Sequence, residues 1–191
     1  RSTLFPYTTL FRSQPLRVIW LLWLGGAILM IFALPALIGA PYVPSRSREV
    51  QRLFAEALSI GKDDVVLDIG SGDGVVLMAA AQQGARAIGY EINPFLVLIS
   101  RWRLRKLPGA QVHWANIWRR PVLDKVTVMY TFGDGRDIAK MFQLAERQAA
   151  AQTEPLTFVS YGFSVPGTQP TKEYHGYFLY RLPGGFTSPE A

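Results

Sequence analysis

The stretch Val65 to Leu77, VVLDIGSGDGVVL, leaves the chain few folds to choose from. Val65 to Ile69 is a short apolar run, interrupted only by Asp68, which suits a strand covered on both faces. Gly70, Gly72 and Gly74 let the backbone turn tightly and approach a ligand, and the apolar residues after Gly74 read as the start of a helix. Strand, glycine-rich turn and helix in that order make one unit of a parallel α/β sheet, with the helix N-terminal amides aimed at whatever sits in the turn.

The alternation continues downstream. Strands are expected at Arg86 to Tyr90, Gln111 to Ala115, Val126 to Thr131, Leu156 to Tyr161 and Tyr174 to Arg181, and helices at Val75 to Gln83, Pro94 to Lys106 and Asp137 to Ala150. The fold class is therefore α/β, a Rossmann-like, doubly wound and mostly parallel sheet. Asn116 to Lys125 is short for a parallel crossover containing a helix, so a helix-poor loop is expected there. Upstream, Val50, Leu53, Phe54, Ala57 and Leu58 fall on one face of an amphipathic helix over Ser47 to Leu58, with Gly61 as its stop. A catalytic-size domain over 45–182 follows, and the Pro- and Gly-rich residues 183–191 read as a flexible tail.

Composition adds a second segment. Hydrophobic residues make up 49% and charged residues 18% of the chain, more apolar than a wholly soluble domain. The excess is concentrated in Val18 to Ile38, VIWLLWLGGAILMIFALPALI, inside a stretch with no charged residue between Arg17 and Arg46. As a helix this run would be about 32 Å long, enough to span a bilayer, with Trp20 and Trp23 near one interface. Residues 14–44 thus read as one N-terminal transmembrane helix with a Pro-containing linker, a single-pass membrane anchor. Arg46, Arg48 and Arg52 on its C-terminal side, against Arg17 before it, place the following domain on the cytoplasmic face. Thr3 to Ser13, TLFPYTTLFRS, reads as a translated sequencing adapter, so residues 1–13 are expected not to be native. Without Arg1 and Arg12 the formal charge falls from +6 to +4, too modest a bias to make nucleic acid the expected partner. There is no Cys, and the two histidines, His113 and His175, are far apart, so no metal site is expected.

The chemistry gathers where neighbouring strands end. Asp68 stands two residues before the first glycine, where a carboxylate accepts a hydrogen bond from an ammonium and repels a pyrophosphate. Gly70-Ser71-Gly72-Asp73-Gly74-Val75 also lacks the sixth-position glycine of the dinucleotide fingerprint, which disfavours NAD. Glu91 follows the second strand at the spacing at which a carboxylate meets ribose hydroxyls, and Asn116 follows the third with an amide suited to an adenine edge. The expected cofactor-binding set is Asp68, Gly70, Ser71, Gly72, Asp73, Gly74, Glu91 and Asn116. Tyr42, Tyr130 and Phe132 are candidate aromatic walls for a substrate, or simple packing residues. Arg101-Trp102-Arg103-Leu104-Arg105-Lys106 carries four cations in six positions. Such a run is usually a solvated helix end complementing the dipole, and otherwise a surface for anionic headgroups or nucleic acid.

D-x-G-x-G-x-G with an acidic residue after the second strand resembles the class I, seven-strand methyltransferases, over roughly Val65 to Tyr161. The order of a hydrophobic anchor, Ala40-Pro41-Tyr42-Val43-Pro44-Ser45, DIGSGDG, GYEINP and NIW is similar to the membrane-anchored protein-lysine methyltransferases acting on the c subunit of ATP synthase or on the adenine nucleotide translocase, and their prokaryotic relatives. The resemblance implies S-adenosylmethionine as cofactor, held by Asp68 to Gly74 and Glu91, and a lysine on a membrane-associated protein as substrate. It also implies that the Pro41 to Ser45 segment approaches the cofactor or the substrate lysine, so Tyr42 and Pro44, together with Phe132 from the candidate walls, are the expected substrate contacts. The family usually has Asp at the place of Asn116. A methyltransferase of a lipid or quinone and a non-catalytic nucleotide-binding membrane module are the other readings. No catalytic residue is assigned, because methyl transfer to an amine can rest on positioning and desolvation.

Overall fold

The computed structural model describes residues 14–38, 47–133 and 135–185, and the chain divides into two compact units, 1–41 and 42–191. In the first unit the apolar segment forms helix α1, Gln14–Ile38. Its side chains are described for residues 17–30, and all of them are exposed. Among the described residues no helix is long and apolar enough to cross a membrane. The transmembrane span expected from the full apolar run thus rests on the sequence.

The second unit opens with α2, Ser47–Arg52, which widens into a π-helical turn over Leu53–Leu58. Val50, Leu53 and Phe54 are fully buried, as the amphipathic spacing requires. The turn is closed by Ser59 in a left-handed conformation, φ 51°, ahead of the expected stop at Gly61. There follow β1 (Val65–Ile69), α3 (Val75–Gln82), β2 (Arg86–Glu91), α4 (Pro94–Leu104), β3 (Ala110–Trp114), β4 (Val128–Thr131), α5 (Ile138–Ala150), β5 (Leu156–Tyr161), β6 (Lys172–Tyr174) and β7 (Tyr177–Leu182).

The strands form one seven-stranded sheet in the order β3-β2-β1-β4-β5-β7-β6. The first five pair in parallel and β7 runs antiparallel to both neighbours. Period-two alternation sends the apolar residues to two cores. Val66, Val128 and Val159 face α2, α3 and α4 with Phe54, Leu77 and Val97. Leu67, Met129 and Phe158 face α5 with Ile138, Phe142 and Ala145.

Two connections bear on the expectations. The single strand expected over Tyr174 to Arg181 is a hairpin, because His175 and Gly176 both take positive φ, 45° and 83°. Two successive positive φ values make the primed two-residue turn that matches strand twist, here joining Tyr174 to Tyr177. The expected helix-poor loop between β3 and β4 contains only a 3-10 turn, Ile117–Arg119. Its backbone is satisfied by two glutamine amides that stand in for a neighbouring strand. Gln148 accepts from Leu123 N at 2.9 Å and donates to Leu123 O at 2.7 Å, and Gln152 accepts from Val126 N at 3.0 Å and donates to Val126 O at 2.8 Å. Beyond β7, Gly185 N donates to Ala149 O and Gln152 O, so ordered contact with the end of α5 extends to residue 185.

Candidate cofactor site

Asp68 ends the central strand with its side chain on the α2–α4 side, in register between Gly89 of β2 and Tyr130 of β4. It is 2% exposed. Burial first, then the charges of Glu91 and Asp73, push its carboxyl well above the usual carboxylate range. No hydrogen bond reaches that carboxylate from the described residues.

The turn above Asp68 is shaped by backbone conformation. Gly70, Gly72 and Gly74 have φ of 71°, 53° and 81°, a region that L side chains rarely adopt. The N–H groups of Gly70 and Ser71 both donate to Tyr90 O, at 3.0 and 3.1 Å, which ties the turn to the end of β2. At Gly70 a Cβ would meet nothing within 4 Å, so one side of the turn is open. At Gly74 it would come within 2.3 Å of Ser100 Oγ. Gly74 therefore lets α3 start against α4 and serves packing, which separates its role from that of Gly70. Gly89 does the same on β2, where a Cβ would lie 2.6 Å from Leu77 and from Ser71. Ser71 Oγ is buried without a hydrogen-bond partner among the described residues.

Glu91 is also buried, and both of its oxygens accept backbone bonds. Oε2 takes Gly72 N at 2.9 Å and Oε1 takes Asn93 N at 2.7 Å. One carboxylate thus clamps the glycine turn to the chain leaving β2, and each oxygen keeps a second lone pair for a ligand. Asn93 caps α4 through Oδ1, accepting from Phe95 N at 2.9 Å, ahead of Pro94 in the first helical turn. Asp73 pairs with Arg103 of α4, whose guanidinium also donates to Asp73 O at 3.0 Å. Its carboxylate tethers the turn to α4 more directly than it faces a ligand.

Asn116 lies beyond β3, next to Ala115, whose N–H donates to Glu91 O at 3.0 Å. Its Oδ1 caps the 3-10 turn by accepting from Trp118 N at 3.0 Å, which leaves the side-chain NH2 as its means of meeting a ligand. Phe132, just after β4, is half-buried and packs edge-on to Tyr161 with ring centres 4.9 Å apart. Tyr161 in turn lies 4.5 Å from Tyr177. Tyr42 and Pro44 lie outside the described residues. The fold therefore brings Asp68, the glycine turn, Glu91, Asn116 and Phe132 to the carboxyl ends of adjacent strands, where open α/β sheets bind ligands. Asn93, Arg103 and Gly89 were not expected there. The Asn-Pro pair was a readable helix start, whereas nothing local marks Arg103 as the partner of a residue thirty positions away.

The donor and acceptor chemistry fits one end of an amino-acid-bearing nucleoside. A buried carboxylate that lacks a donor, an unpartnered serine hydroxyl and an open glycine turn together suit an ammonium group, and a second carboxylate one strand away suits vicinal hydroxyls.

The profile of the family described as "ANTKMT methyltransferase domain" matches residues 68–172, more than half the chain and beginning on Asp68. A mouse ATP synthase C-subunit lysine N-methyltransferase is 36% identical over 106 residues, which are 50% of this chain and 42% of that protein. A mouse adenine nucleotide translocase lysine N-methyltransferase is 35% identical over 94 residues, 47% of this chain and 40% of that protein. The chain spans less than half the length of both relatives. Among solved structures, an RNA methyltransferase from Salinibacter ruber in complex with S-adenosyl-L-homocysteine superposes with a TM-score of 0.64 at 23% identity, covering 77% of this chain and 98% of that one. At that identity the likeness is one of fold.

Proposed function

Because the chain belongs to the ANTKMT methyltransferase domain family, we propose that it is an S-adenosylmethionine-dependent protein-lysine N-methyltransferase that works at a membrane. The observation that carries this reading is the buried Asp68 carboxylate beneath an open glycine turn, at the first residue of the family match. The names of the curated relatives support lysine as the acceptor.

The residues divide the work of holding the cofactor. Asp68 receives the amino-acid ammonium, which relieves the burial of its own charge. The turn from Gly70 to Gly74, with Ser71, lies against the same end of the ligand. Glu91 accepts from ribose hydroxyls while its bonds to Gly72 N and Asn93 N keep it aimed. Asn116 offers its side-chain NH2 to the adenine. When bound, S-adenosylmethionine supplies a sulfonium-borne methyl group for transfer to an amine. Phe132 and Tyr161 supply an apolar wall at the end of β4 and β5, and the family resemblance makes Tyr42 and Pro44 further candidates for contact with the substrate. Such a wall excludes water and favours the neutral form of an entering lysine, which needs its lone pair to react.

The same reading makes α1 the core of a single-pass anchor, supported by the charge-free apolar run from Val18 to Ile38. The basic residues after that run support a cytoplasmic catalytic domain. The test is to incubate purified full-length protein with membranes and methyl-labelled cofactor, then map label by mass spectrometry. Label on lysine of a membrane protein is expected. Label confined to extractable lipid would replace the lysine by a lipid or quinone acceptor, and failure to bind S-adenosylhomocysteine in calorimetry would remove the enzyme itself.

A further inference from the structure

The side of α4 turned away from the glycine turn combines exposed cations with exposed large apolar side chains. Between Glu91 and Asp124 the sequence holds six Lys or Arg and no acidic residue. Arg103 is taken up by Asp73. Arg101 in the last turn of α4, and Arg105 and Lys106 just beyond its end, are exposed among large apolar side chains that are exposed as well. Leu98 is 64% and Trp102 66% exposed, one helical turn apart on the same face. Trp114 is 64% exposed at the carboxyl end of the edge strand β3. Its indole N–H donates to Ile92 O at 3.0 Å, in the connection that leads into α4, so the ring is held at this flank while lying largely open. Between helix and edge strand runs an open groove of about 380 Å³ lined by Arg101, Arg105 and His113. Burial and the Arg120 and Arg101 charges hold His113 below the usual imidazole value, so at neutral pH the groove's charge comes from its arginines. Arg105 lies 4.3 Å over the Trp102 ring, which keeps indole and cation on one patch.

We propose that this α4–β3 flank is a membrane-surface contact, with Leu98, Trp102 and Trp114 at the headgroup boundary of an anionic bilayer and Arg101, Arg105 and Lys106 paired with its phosphates. The combination is what an interface requires. Indole rings prefer the headgroup level, cations nearby gain from a negative leaflet, and an aliphatic side chain adds apolar burial. A single-stranded nucleic acid would use the rings and the arginines but has no use for an exposed leucine in the same row. The contact belongs to the domain itself and does not depend on α1 or on the identity of the methyl acceptor. It would set which way the carboxyl ends of the strands face relative to the lipid, because Trp114 lies at that end of the sheet.

The chain has no cysteine, so one introduced thiol reports one position. Full-length protein carrying Leu98→Cys with an environment-sensitive fluorophore is incorporated into phosphatidylcholine vesicles, with or without roughly one third phosphatidylglycerol. A control label at Glu146→Cys lies on α5, across the sheet. The proposal expects a blue shift and quenching by spin-labelled lipid at 98 in the anionic vesicles only. It expects neither at 146, and reversal in high salt or in an Arg101→Gln, Arg105→Gln, Lys106→Gln variant, whose flank affinity should fall about a hundredfold. A label at 98 that stays aqueous in anionic vesicles overturns the proposal, as do equal responses at 98 and 146. Protection of position 98 by single-stranded RNA in detergent, without a response to anionic vesicles, overturns it in favour of nucleic acid.

Discussion

α4 separates two regions of opposite character. On one side, at the ends of β1 and β2, Asp68 and Glu91 are buried carboxylates, 2% and 7% exposed, close enough that the charge of Glu91 raises the cost of charging Asp68. On the other, arginines and tryptophans lie open to solvent on α4 and β3. Buried charge that is only partly satisfied is costly to the free protein and becomes favourable when a complementary ligand arrives. Exposed charge costs the fold little and gains little until a large, oppositely charged surface is near. The same helix therefore carries a site whose chemistry is fixed by desolvation and a face whose chemistry is fixed by access.

The comparison breaks most visibly at Asp68. Asp68→Asn is expected to weaken S-adenosylhomocysteine binding by about 3 kcal/mol, because it removes one member of a buried charge pair. It should nevertheless stabilise the ligand-free protein by on the order of 1 kcal/mol, since the free site holds an unpaired charge. Calorimetric titration and thermal unfolding test the two signs separately. The pH dependence follows the same logic. Asp68 has a folded pKa above its unfolded value, so the wild type loses stability, relative to Asp68→Asn, as pH rises through the interval between them. Ligand affinity should rise over that interval as the carboxylate ionises, and the variant should show neither trend.

Glu91→Ala sharpens the comparison from within the site, because Glu91 is satisfied where Asp68 is not. It should cost about 2 kcal/mol in S-adenosylhomocysteine affinity and also lower the unfolding temperature, since Gly72 N and Asn93 N lose their acceptor. Unchanged stability with lost affinity would mean that the two amides are not held by Glu91. Gly74→Ala should destabilise by about 1 to 2 kcal/mol, through positive φ and the approach to Ser100, with less effect on affinity than on stability. Denaturant titration, repeated with Ser100→Ala added, should recover part of that loss. At the small end, Leu98→Ala or Arg101→Gln should change stability by less than about 0.5 kcal/mol in denaturant titration. A larger loss would show that the flank is packed against something and not open.

How much of this could be read in advance depended on how local the cause was. The unit from β1 to α3 was legible because a fully covered parallel strand needs an unbroken apolar run and its turn needs glycine, both within a dozen residues. The start of α4 at Pro94 was legible for the same reason. The hairpin of β6 and β7 was missed because tyrosines flank both sides of His175-Gly176, so the β-favouring pattern runs on and only a positive φ at a histidine betrays the turn. Asp73 and Gly74 looked like ligand residues from their place in the motif, yet their partners Arg103 and Ser100 come from α4. The place of Asn116 after the third strand was legible, but the turn of its side-chain oxygen back to Trp118 N depends on the 3-10 turn that follows it.

The sheet order has a kinetic consequence. β1, β2 and β3 can join through short βα connections, Val65 opposite Arg86 and Ala87 opposite Ala110. The other neighbour of β1 is β4, which bonds it across 62 residues of sequence. On a ribosome the first half of the sheet can thus assemble while the second is still being made, with the outer flank of Asp68 open to water. The late arrival of β4, which brings Tyr130 alongside Asp68, closes the longest loop and strips the carboxylate of water in the same step. The residue proposed as the ligand's chief partner therefore also opposes the joining of the two halves of the sheet.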